Sequence, residues 1–234
     1  CPCCDSISDR YGLHCRRCGA AGDRIACHNG ARNLCSRFAS DAALNPTVEQ
    51  PGLLPPRPDD QMHPTFAAAD VFVPSWSHGQ PAAFDLAITS PQRQDVLGQA
   101  ATQAGAAASQ YESHKRTYLQ NEEQCRQQGI LFVPLVAETS GGWGSSAFKT
   151  FCKWAKLAHE RGERATHAKA QLPHFLERVC VSIRAAKARA VLRRSTAAND
   201  SWSSLLNNAA QLSQHLHTSS VGHRSSPFRH LLFF

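Results

Sequence analysis

The sequence predicts an α/β fold in which a small β-sheet of about four strands is flanked by helices. Residues 70–89 hold two β-prone apolar segments joined by a short turn, and residues 130–138 form one continuous apolar run of strand length. Stretches with helical spacing lie before, between and after these segments. At 234 residues the chain is long enough for one such core with small appendages at either end.

The first helix is predicted over residues 28–44, with His28 at its start. Its apolar residues recur at helical spacing, as Ala31, Leu34, Cys35, Phe38 and Ala42. Pro46 ends the helix, because proline lacks a backbone donor and clashes with the preceding turn. Residues 47–49 then predict a short strand, and residues 51–64 predict an extended proline-rich loop.

Residues 70–76 and 82–89 predict two strands, because both are rich in β-branched and aromatic residues. The short Ser-His-Gly-Gln-Pro turn between them predicts that they pair as a hairpin. Asp70 and Asp85 lie in these strands among apolar residues, where a carboxylate needs a partner or a metal ion. We therefore expect the two aspartates near one edge of the hairpin.

The second half of the chain predicts mainly helices around one strand. Residues 93–128 contain no proline and predict one long helix or two short ones, and residues 130–138 predict a strand buried on both faces. Glu138 and the glycine-rich loop after it suit either an active-site rim or the start of a helix. Helices are predicted over residues 146–161 and 174–194, before a weakly ordered tail.

The net charge of +7 favours a polyanionic partner, although a merely basic soluble protein would show the same charge. Basic residues outnumber acidic ones between Lys149 and Arg194, and on helices they would form a face for phosphate contacts. The residues that we expect to bind nucleic acid are Tyr118, Lys149, Lys153, Lys156, Arg184, Lys187, Arg193 and Arg194. No apolar run is long enough to span a bilayer, so we expect no membrane partner.

Most of the 10 cysteines lie before residue 36, which favours a metal-binding N-terminus in a reducing compartment over a disulfide framework. Cys1, Cys3, His14 and Cys18 predict a closed, tetrahedral Zn²⁺ site with a structural role. Cys4 or Cys15 could substitute as ligands. The alternative is a set of free surface thiols.

Asp70 and Asp85 together predict a site for a divalent cation such as Mg²⁺ or Mn²⁺, because two close carboxylates resist joint ionisation without one. Lys115 is the best candidate for neutralising the charge that develops on a scissile phosphate. Helical spacing would put Tyr118 on the same side of its helix. Glu49 could supply a further metal contact. In the alternative interpretation, Asp70 starts a strand, Asp85 is a paired core acid and Lys115 is solvated.

The order of these motifs resembles the C-terminal region of non-LTR retrotransposon polyproteins. The motifs are Cys-x-Cys at Cys1, His-x-x-x-Cys at His14, Arg24 with His28-Asn29, Glu49 with Pro51, Ala-Asp70-Val, Phe-Asp85-Leu-Ala-Ile-Thr and Lys115-x-x-Tyr118. In that region a cysteine–histidine knuckle follows a reverse transcriptase and precedes a restriction-enzyme-like endonuclease of the PD-(D/E)XK type. The similarity covers about residues 1–194.

The resemblance implies a small mixed sheet of about four strands flanked by helices, with the restriction-endonuclease-like fold. It implies a zinc knuckle over residues 1–27, an endonuclease domain over residues 28–194 and a tail over residues 195–234. The family has Arg/Lys-Pro before its first aspartate, where this chain has Ala68-Ala69. The family's lysine two residues after the second acid is replaced by Ala87, and Lys115 inherits its role.

The function that the resemblance implies is Mg²⁺-dependent nicking of DNA, whose cut end primes reverse transcription. We expect an intracellular, nuclear protein that binds DNA and the element's RNA. Because Cys1 already belongs to a motif, we also expect the chain to continue an upstream reverse transcriptase in a longer polyprotein. One alternative is a catalytically inactive nucleic-acid-binding module with a structural zinc knuckle. Another is an interaction protein whose cysteine cluster is a docking zinc finger.

Overall fold

The computed structural model of the chain describes residues 22–55, 69–161 and 165–195, together with residues 1, 4, 6, 14 and 18. These residues form a mixed four-stranded β-sheet flanked by helices, which confirms the predicted α/β class and strand number. The predicted tail beyond residue 195 lies outside the described residues. In the described ranges, no helix combines the length and the apolar character needed to cross a membrane.

The strands fall close to their predicted positions. They are β1 (Thr47–Val48), β2 (Val71–Ser77), β3 (Gln80–Thr89) and β4 (Leu131–Glu138). β2 and β3 pair antiparallel, as the hairpin prediction requires. The turn between them is His78-Gly79, whose φ angles of 51° and 81° are both positive, as a two-residue type I′ turn demands.

The helices differ more from their predicted bounds. They are α1 (Asp23–Asp41), α2 (Leu97–Thr102), α3 (Ala106–Thr117), α4 (Asn121–Gln127), α5 (Ser145–Arg161) and α6 (Ala165–Ser195). The segment predicted as one or two helices contains α2, α3 and α4, because Gly105 and Leu119 adopt positive φ angles of 78° and 51° between them. α6 begins before Pro173, and Leu172 on its N-terminal side packs against the core.

The sheet has the order β1-β2-β3-β4. Neighbouring strands are antiparallel except for β3 and β4, which run parallel. A parallel pair needs a crossover, and α2, α3 and α4 provide it. Helix α3 therefore returns across the sheet beside β3, which carries Asp85.

Each face of the sheet is covered by its own helices. One face packs against α1, α5 and α6 around the fully buried ring of Trp154, which meets the rings of Phe84 and Phe151. The opposite face packs against α3 and α4 through small side chains such as Ala83 and Ala108. Because successive strand residues point to opposite faces, Asp85 beside Phe84 points toward α3.

Candidate functional site

Asp70 and Asp85 lie opposite each other where the hairpin strands meet at the start of β2. Val71 pairs with Phe84 in the antiparallel register, so the next position sets Asp70 across from Asp85. Directly opposed side chains in an antiparallel pair lie on the same side of the sheet. The two carboxyl groups also share a side-chain hydrogen bond, which requires a proton on one of them. The structure thus brings the two predicted acids together.

Two further contacts fix the carboxylate of Asp70. Its Oδ2 accepts a hydrogen bond of 2.6 Å from the backbone N–H of Leu86, a β3 donor just beyond the end of β2. Its Oδ1 lies 2.8 Å from Nε2 of His28 on α1. His28 was expected only as the start of a helix, so sequence reasoning missed its place in the site. The signal was its position three residues before Ala31, on the helix face that carries the core residues.

Lys115 reaches Asp85 from α3, across the face of the sheet. Its Nζ lies 2.8 Å from Oδ2 and 3.0 Å from Oδ1 of that carboxylate. Both side chains are mostly buried, with 21% of Lys115 and 15% of Asp85 exposed. Lys115 therefore lies beside the acid pair, as its predicted role requires.

The electrostatics of this cluster follow from burial and from the charges within it. Burial raises the pKa of Asp85 to about 6, the charge of Lys115 opposes the shift, and Asp70 adds to it. Burial by itself would lower the pKa of Lys115, but the attraction of Asp85 outweighs it and the net shift is upward. The lysine is thus held as a cation beside a carboxyl group that resists ionisation.

Glu49 does not join the acid pair, contrary to the prediction that it supplies a metal contact. Its carboxylate pairs with the guanidinium of Arg32 on α1, and 59% of its side chain is exposed. Its link to the site is through the backbone, because its N–H donates to the carbonyl oxygen of Asp70 at 3.1 Å. The competing cation on α1 explains why this carboxylate is turned elsewhere.

A cysteine–histidine cluster near the N-terminus could hold a metal ion. It consists of Cys1, Cys4, His14 and Cys18, whose ligand atoms all lie within 4.8 Å of one another. Three sulfur atoms and one imidazole nitrogen match the donor set of a closed structural Zn²⁺ site. Hydrogen bonds to the backbone and side chain of Ser6 lower the pKa of Cys4 to about 7, which favours the thiolate that binds metal.

Cys4 takes the place of Cys3 in the predicted ligand set. The backbone N–H of Cys4 donates to the carbonyl oxygen of Cys1 at 3.3 Å, so a tight turn brings these two sulfur atoms to one side. The N–H of Cys18 donates to the carbonyl oxygen of His14 at 2.8 Å and completes the second half of the cluster. Cys3 itself lies outside the described residues. The ligand spacing is therefore Cys-x-x-Cys followed by His-x-x-x-Cys.

Arg194 was expected to bind nucleic acid, but its guanidinium is fully buried. Nη1 of Arg194 lies 2.6 Å from Oδ2 of Asp23, the first residue of α1. The same side chain hydrogen-bonds the thiol of Cys18. Arg193 also pairs with Asp23. Burial and these contacts remove Arg194 from any DNA-binding surface and give it a structural role between α6, α1 and the cysteine–histidine cluster.

The other predicted basic residues divide between two regions. On α5, Nζ of Lys153 lies 4.1 Å from the ring centre of Trp76, and Lys156 pairs with Glu160. Lys149 is on the same helix. On α6, Arg184 donates to the carbonyl oxygen of Ser140 at 3.0 Å. Lys187 differs from all of these because it lines the groove described next.

Two adjoining cavities of about 400 and 530 Å³ form a groove that leads away from the acid pair. They share four lining residues, among them Arg24 of α1, Tyr111 of α3 and Lys187 of α6. The smaller cavity includes His28 and Lys115, whereas the larger one extends to Arg93. We call this surface the cationic groove, defined by Arg24, His28, Arg93, Tyr111, Lys115 and Lys187.

Glu138, which suited an active-site rim, has a structural role at the end of β4. Its carboxylate is buried, and Oε1 accepts a hydrogen bond of 3.1 Å from the backbone N–H of Ala108 in α3. Oε2 accepts one of 3.0 Å from the hydroxyl of Ser140. These contacts anchor α3 and the loop after β4, and they leave Glu138 no role in the groove.

Comparisons with known proteins gave no match for this chain, whether with protein-family models, curated proteins or solved structures. The resemblance to retrotransposon endonucleases therefore depends on the sequence motifs alone. What the acid pair can do has to follow from its own geometry and chemistry.

Proposed function

We propose that this chain is a divalent-metal-dependent DNA endonuclease domain of a retrotransposon-derived protein, which nicks target DNA to prime reverse transcription. One observation carries the proposal: Asp70 and Asp85 face each other on adjacent strands, with the ammonium group of Lys115 at hydrogen-bond distance from Asp85. Two carboxylates and a cation in one partly buried site are the groups that hydrolysis of a phosphodiester requires.

The topology supports the same proposal. The PD-(D/E)XK type that the sequence resembles implies a four-stranded mixed sheet with flanking helices, and this chain has such a sheet. Its first acid precedes β2 and its second lies within β3. Ala87 stands where the family has its lysine, and α3 supplies Lys115 instead.

The acid pair fits a hard divalent cation such as Mg²⁺ or Mn²⁺. Both residues offer carboxylate oxygens, which these ions prefer, and Mg²⁺ is commonly bound by one or two carboxylates together with substrate phosphate. The raised pKa of Asp85, about 6, reflects burial and the neighbouring charge of Asp70, and a bound cation would relieve both. Such an ion supplies a bound water of lowered pKa and polarises the scissile phosphate.

The chain's own residues then have distinct tasks. Asp70 and Asp85 would hold the cation, and the contact with His28 fixes the orientation of the Asp70 carboxylate. Lys115 would stabilise the negative charge that develops on phosphate oxygens as a water oxygen bonds to phosphorus and the O3′–P bond breaks. The products would be a 5′-phosphate and a 3′-hydroxyl, and the hydroxyl is the group from which DNA synthesis starts.

The test is nicking of supercoiled plasmid by the full chain with and without added Mg²⁺. We expect open-circular product only with Mg²⁺, and loss of nicking in Asp70→Ala, Asp85→Asn and Lys115→Met. Asp41→Asn, at the exposed end of α1, is the matched control and should nick like the wild type. Undiminished nicking in both aspartate variants would show that another group cuts, and the proposal would then be wrong.

The second candidate is a catalytically inactive nucleic-acid-binding module. Two departures from the family's pattern favour it, namely Ala68-Ala69 before the first acid and Ala87 after the second. Such a module would bind DNA in a salt-sensitive manner and leave plasmid uncut at every Mg²⁺ concentration. In either case the cysteine–histidine cluster would serve as a structural zinc knuckle.

A further inference from the structure

Three side chains of α3 form a ladder of rings beside Lys115. The ring centres of Tyr111 and His114 are 5.4 Å apart, and those of His114 and Tyr118 are 5.3 Å apart. We call these three residues the aromatic ladder. Their spacing of three and four residues keeps them on one side of α3, and His114 and Tyr118 are exposed. Exposed rings in sequence are the kind of surface on which successive unpaired bases stack.

The aromatic ladder adjoins the cationic groove at Tyr111. The guanidinium carbon of Arg93 lies 5.6 Å from the centre of the Tyr111 ring, so charge and aromatic surface meet at this point. His114 lines the same cavity as Arg93. The ladder therefore continues from the far end of the groove past Lys115, along the site where cutting would take place.

Positive charge in the groove comes from separate elements. Arg24 belongs to α1 and Lys187 to α6, yet both line the two cavities. Burial lowers the pKa of Lys187, and the nearby charge of Arg24 lowers it further. An anion between these two side chains would reduce that repulsion. A phosphate of a nucleic-acid backbone has the required charge and size.

The volume of the groove indicates which form of nucleic acid it fits. Cavities of about 400 and 530 Å³ are in the range of pockets for small molecules, so they suit a few nucleotide units of one strand. A base pair would leave its bases stacked on each other rather than on the ladder. Bases can stack on protein rings where the strand is unpaired.

We infer that the cationic groove and the aromatic ladder bind an unpaired stretch of DNA beside the cut, with phosphates at Arg24 and Lys187 and bases on His114 and Tyr118. The inference rests on the proposed endonuclease function and names its substrate class. The preferred substrate is a duplex with an adjoining unpaired segment, such as a bubble or a flap.

The test measures fluorescence anisotropy of a labelled oligothymidylate and of a duplex of the same length, without divalent cations so that nothing is cut. The double variant His114→Ala/Tyr118→Ala should bind the oligothymidylate about 10- to 100-fold more weakly, the loss expected for removal of base stacking. Its affinity for the duplex should change by less than about twofold, because duplex binding depends mainly on phosphate contacts.

Matched variants separate stacking from general effects. Tyr118→Phe keeps the ring and should bind the oligothymidylate like the wild type. Phe148→Ala removes an aromatic side chain with the same 48% exposure from α5, outside the groove, and should also bind normally. Arg24→Gln/Lys187→Gln should weaken binding of the oligothymidylate and lower the slope of its salt dependence by about two, one for each lost phosphate contact.

Plasmid nicking by the wild type with Mg²⁺ is measured in parallel, so that the two proposals can fail separately. Wild-type affinity of the ladder double variant for oligothymidylate would overturn the groove inference even where nicking is normal. Loss of that affinity without any wild-type nicking would support the groove and reject the endonuclease. An oligouridylate that binds more than about 10-fold tighter than the oligothymidylate would make RNA the occupant and overturn the inference.

Discussion

At the scale of single residues, the carboxyl group of Asp85 is the least comfortable group in the site. It is buried between β3 and α3, and neither Lys115 nor the hydrogen bond from its neighbour restores an ordinary pKa. Its pKa is raised from 3.8 to about 6, so the folded protein binds this proton more tightly than the unfolded chain does. Sites that hold charge for function commonly destabilise the protein that contains them.

The raised pKa of Asp85 predicts a pH effect on stability. Between about pH 4 and pH 6 the folded state binds more protons than the unfolded state, so the free energy of unfolding falls as the pH rises through this window. The cost is then fully present above pH 6, and a shift of this size corresponds to about 3 kcal/mol. Acidification from pH 7 to pH 4 should therefore stabilise the metal-free wild type relative to Asp85→Asn.

Urea unfolding of both proteins at several pH values measures this difference. All other groups titrate in both proteins, so the difference between their free energies of unfolding isolates Asp85. A difference that is constant from pH 4 to pH 7 would contradict the assigned shift. Added Mg²⁺ should stabilise the wild type at pH 7 and leave Asp85→Asn unaffected.

The residue scale also shows which parts of the site a sequence can reveal. Asp70 and Asp85 stand out because acids are unusual within apolar strand segments, and Lys115 follows from its position on the next helix. Pairings between distant segments leave no such pattern. Nothing local indicates that Arg32 takes the carboxylate of Glu49, or that His28 meets an aspartate 42 residues away.

At the scale of elements, α3 is the part that brings Lys115 and the aromatic ladder to the sheet, and a buried carboxylate holds it to α5. Oε1 of Glu112 accepts a hydrogen bond of 3.0 Å from the backbone N–H of Ser146, in the first turn of α5. Gly144 permits this approach, because a Cβ atom there would collide with the Glu112 carboxylate. A negative charge at a helix N-terminus is favourable, since unpaired N–H groups and the positive end of the dipole lie there.

Removal of this contact should destabilise the protein. Glu112→Ala leaves buried N–H and hydroxyl groups of the first turn of α5 without their acceptor, and the expected cost is about 1 to 3 kcal/mol. The matched control is Glu123→Ala on α4, whose carboxylate pairs with Arg126 at the surface and should contribute less than about 1 kcal/mol. Chemical unfolding measures both. Equal effects would show that the Glu112 contact does not anchor α5.

Element positions could be predicted to different degrees for a physical reason. Strands follow from local composition, so β2, β3 and β4 were placed within two residues of their observed ends. Pro134 does not contradict β4, because this is an edge strand whose missing N–H would face away from β3. The breaks between α2, α3 and α4 depend on single residues with positive φ, and only Gly105 marks one of them by its type.

At the scale of the whole molecule, the two ends of the described chain meet. Asp23 at the start of α1 pairs with Arg193 and Arg194 near the end of α6, and Arg194 also hydrogen-bonds the thiol of Cys18. The cysteine–histidine cluster is thereby connected to both helices that supply the cationic groove with Arg24 and Lys187. The sequence pattern could identify the cluster, but it could not show this connection, because the residues involved are about 170 positions apart.

Zinc binding should therefore depend on Cys4 and should stabilise the whole domain. We expect about one zinc ion per chain in the wild type and in Cys3→Ser, and loss of zinc in Cys4→Ser, because only Cys4 of this pair lies among the four ligand atoms. Cys152→Ser, an exposed thiol on α5, is the control and should retain zinc. Atomic emission measures the metal content, and thermal unfolding measures its effect. Because Arg194 connects Cys18 to α1 and α6, zinc loss should lower the melting temperature of the cooperative domain transition. A melting temperature that is the same with and without zinc would show that the cluster is independent of these helices.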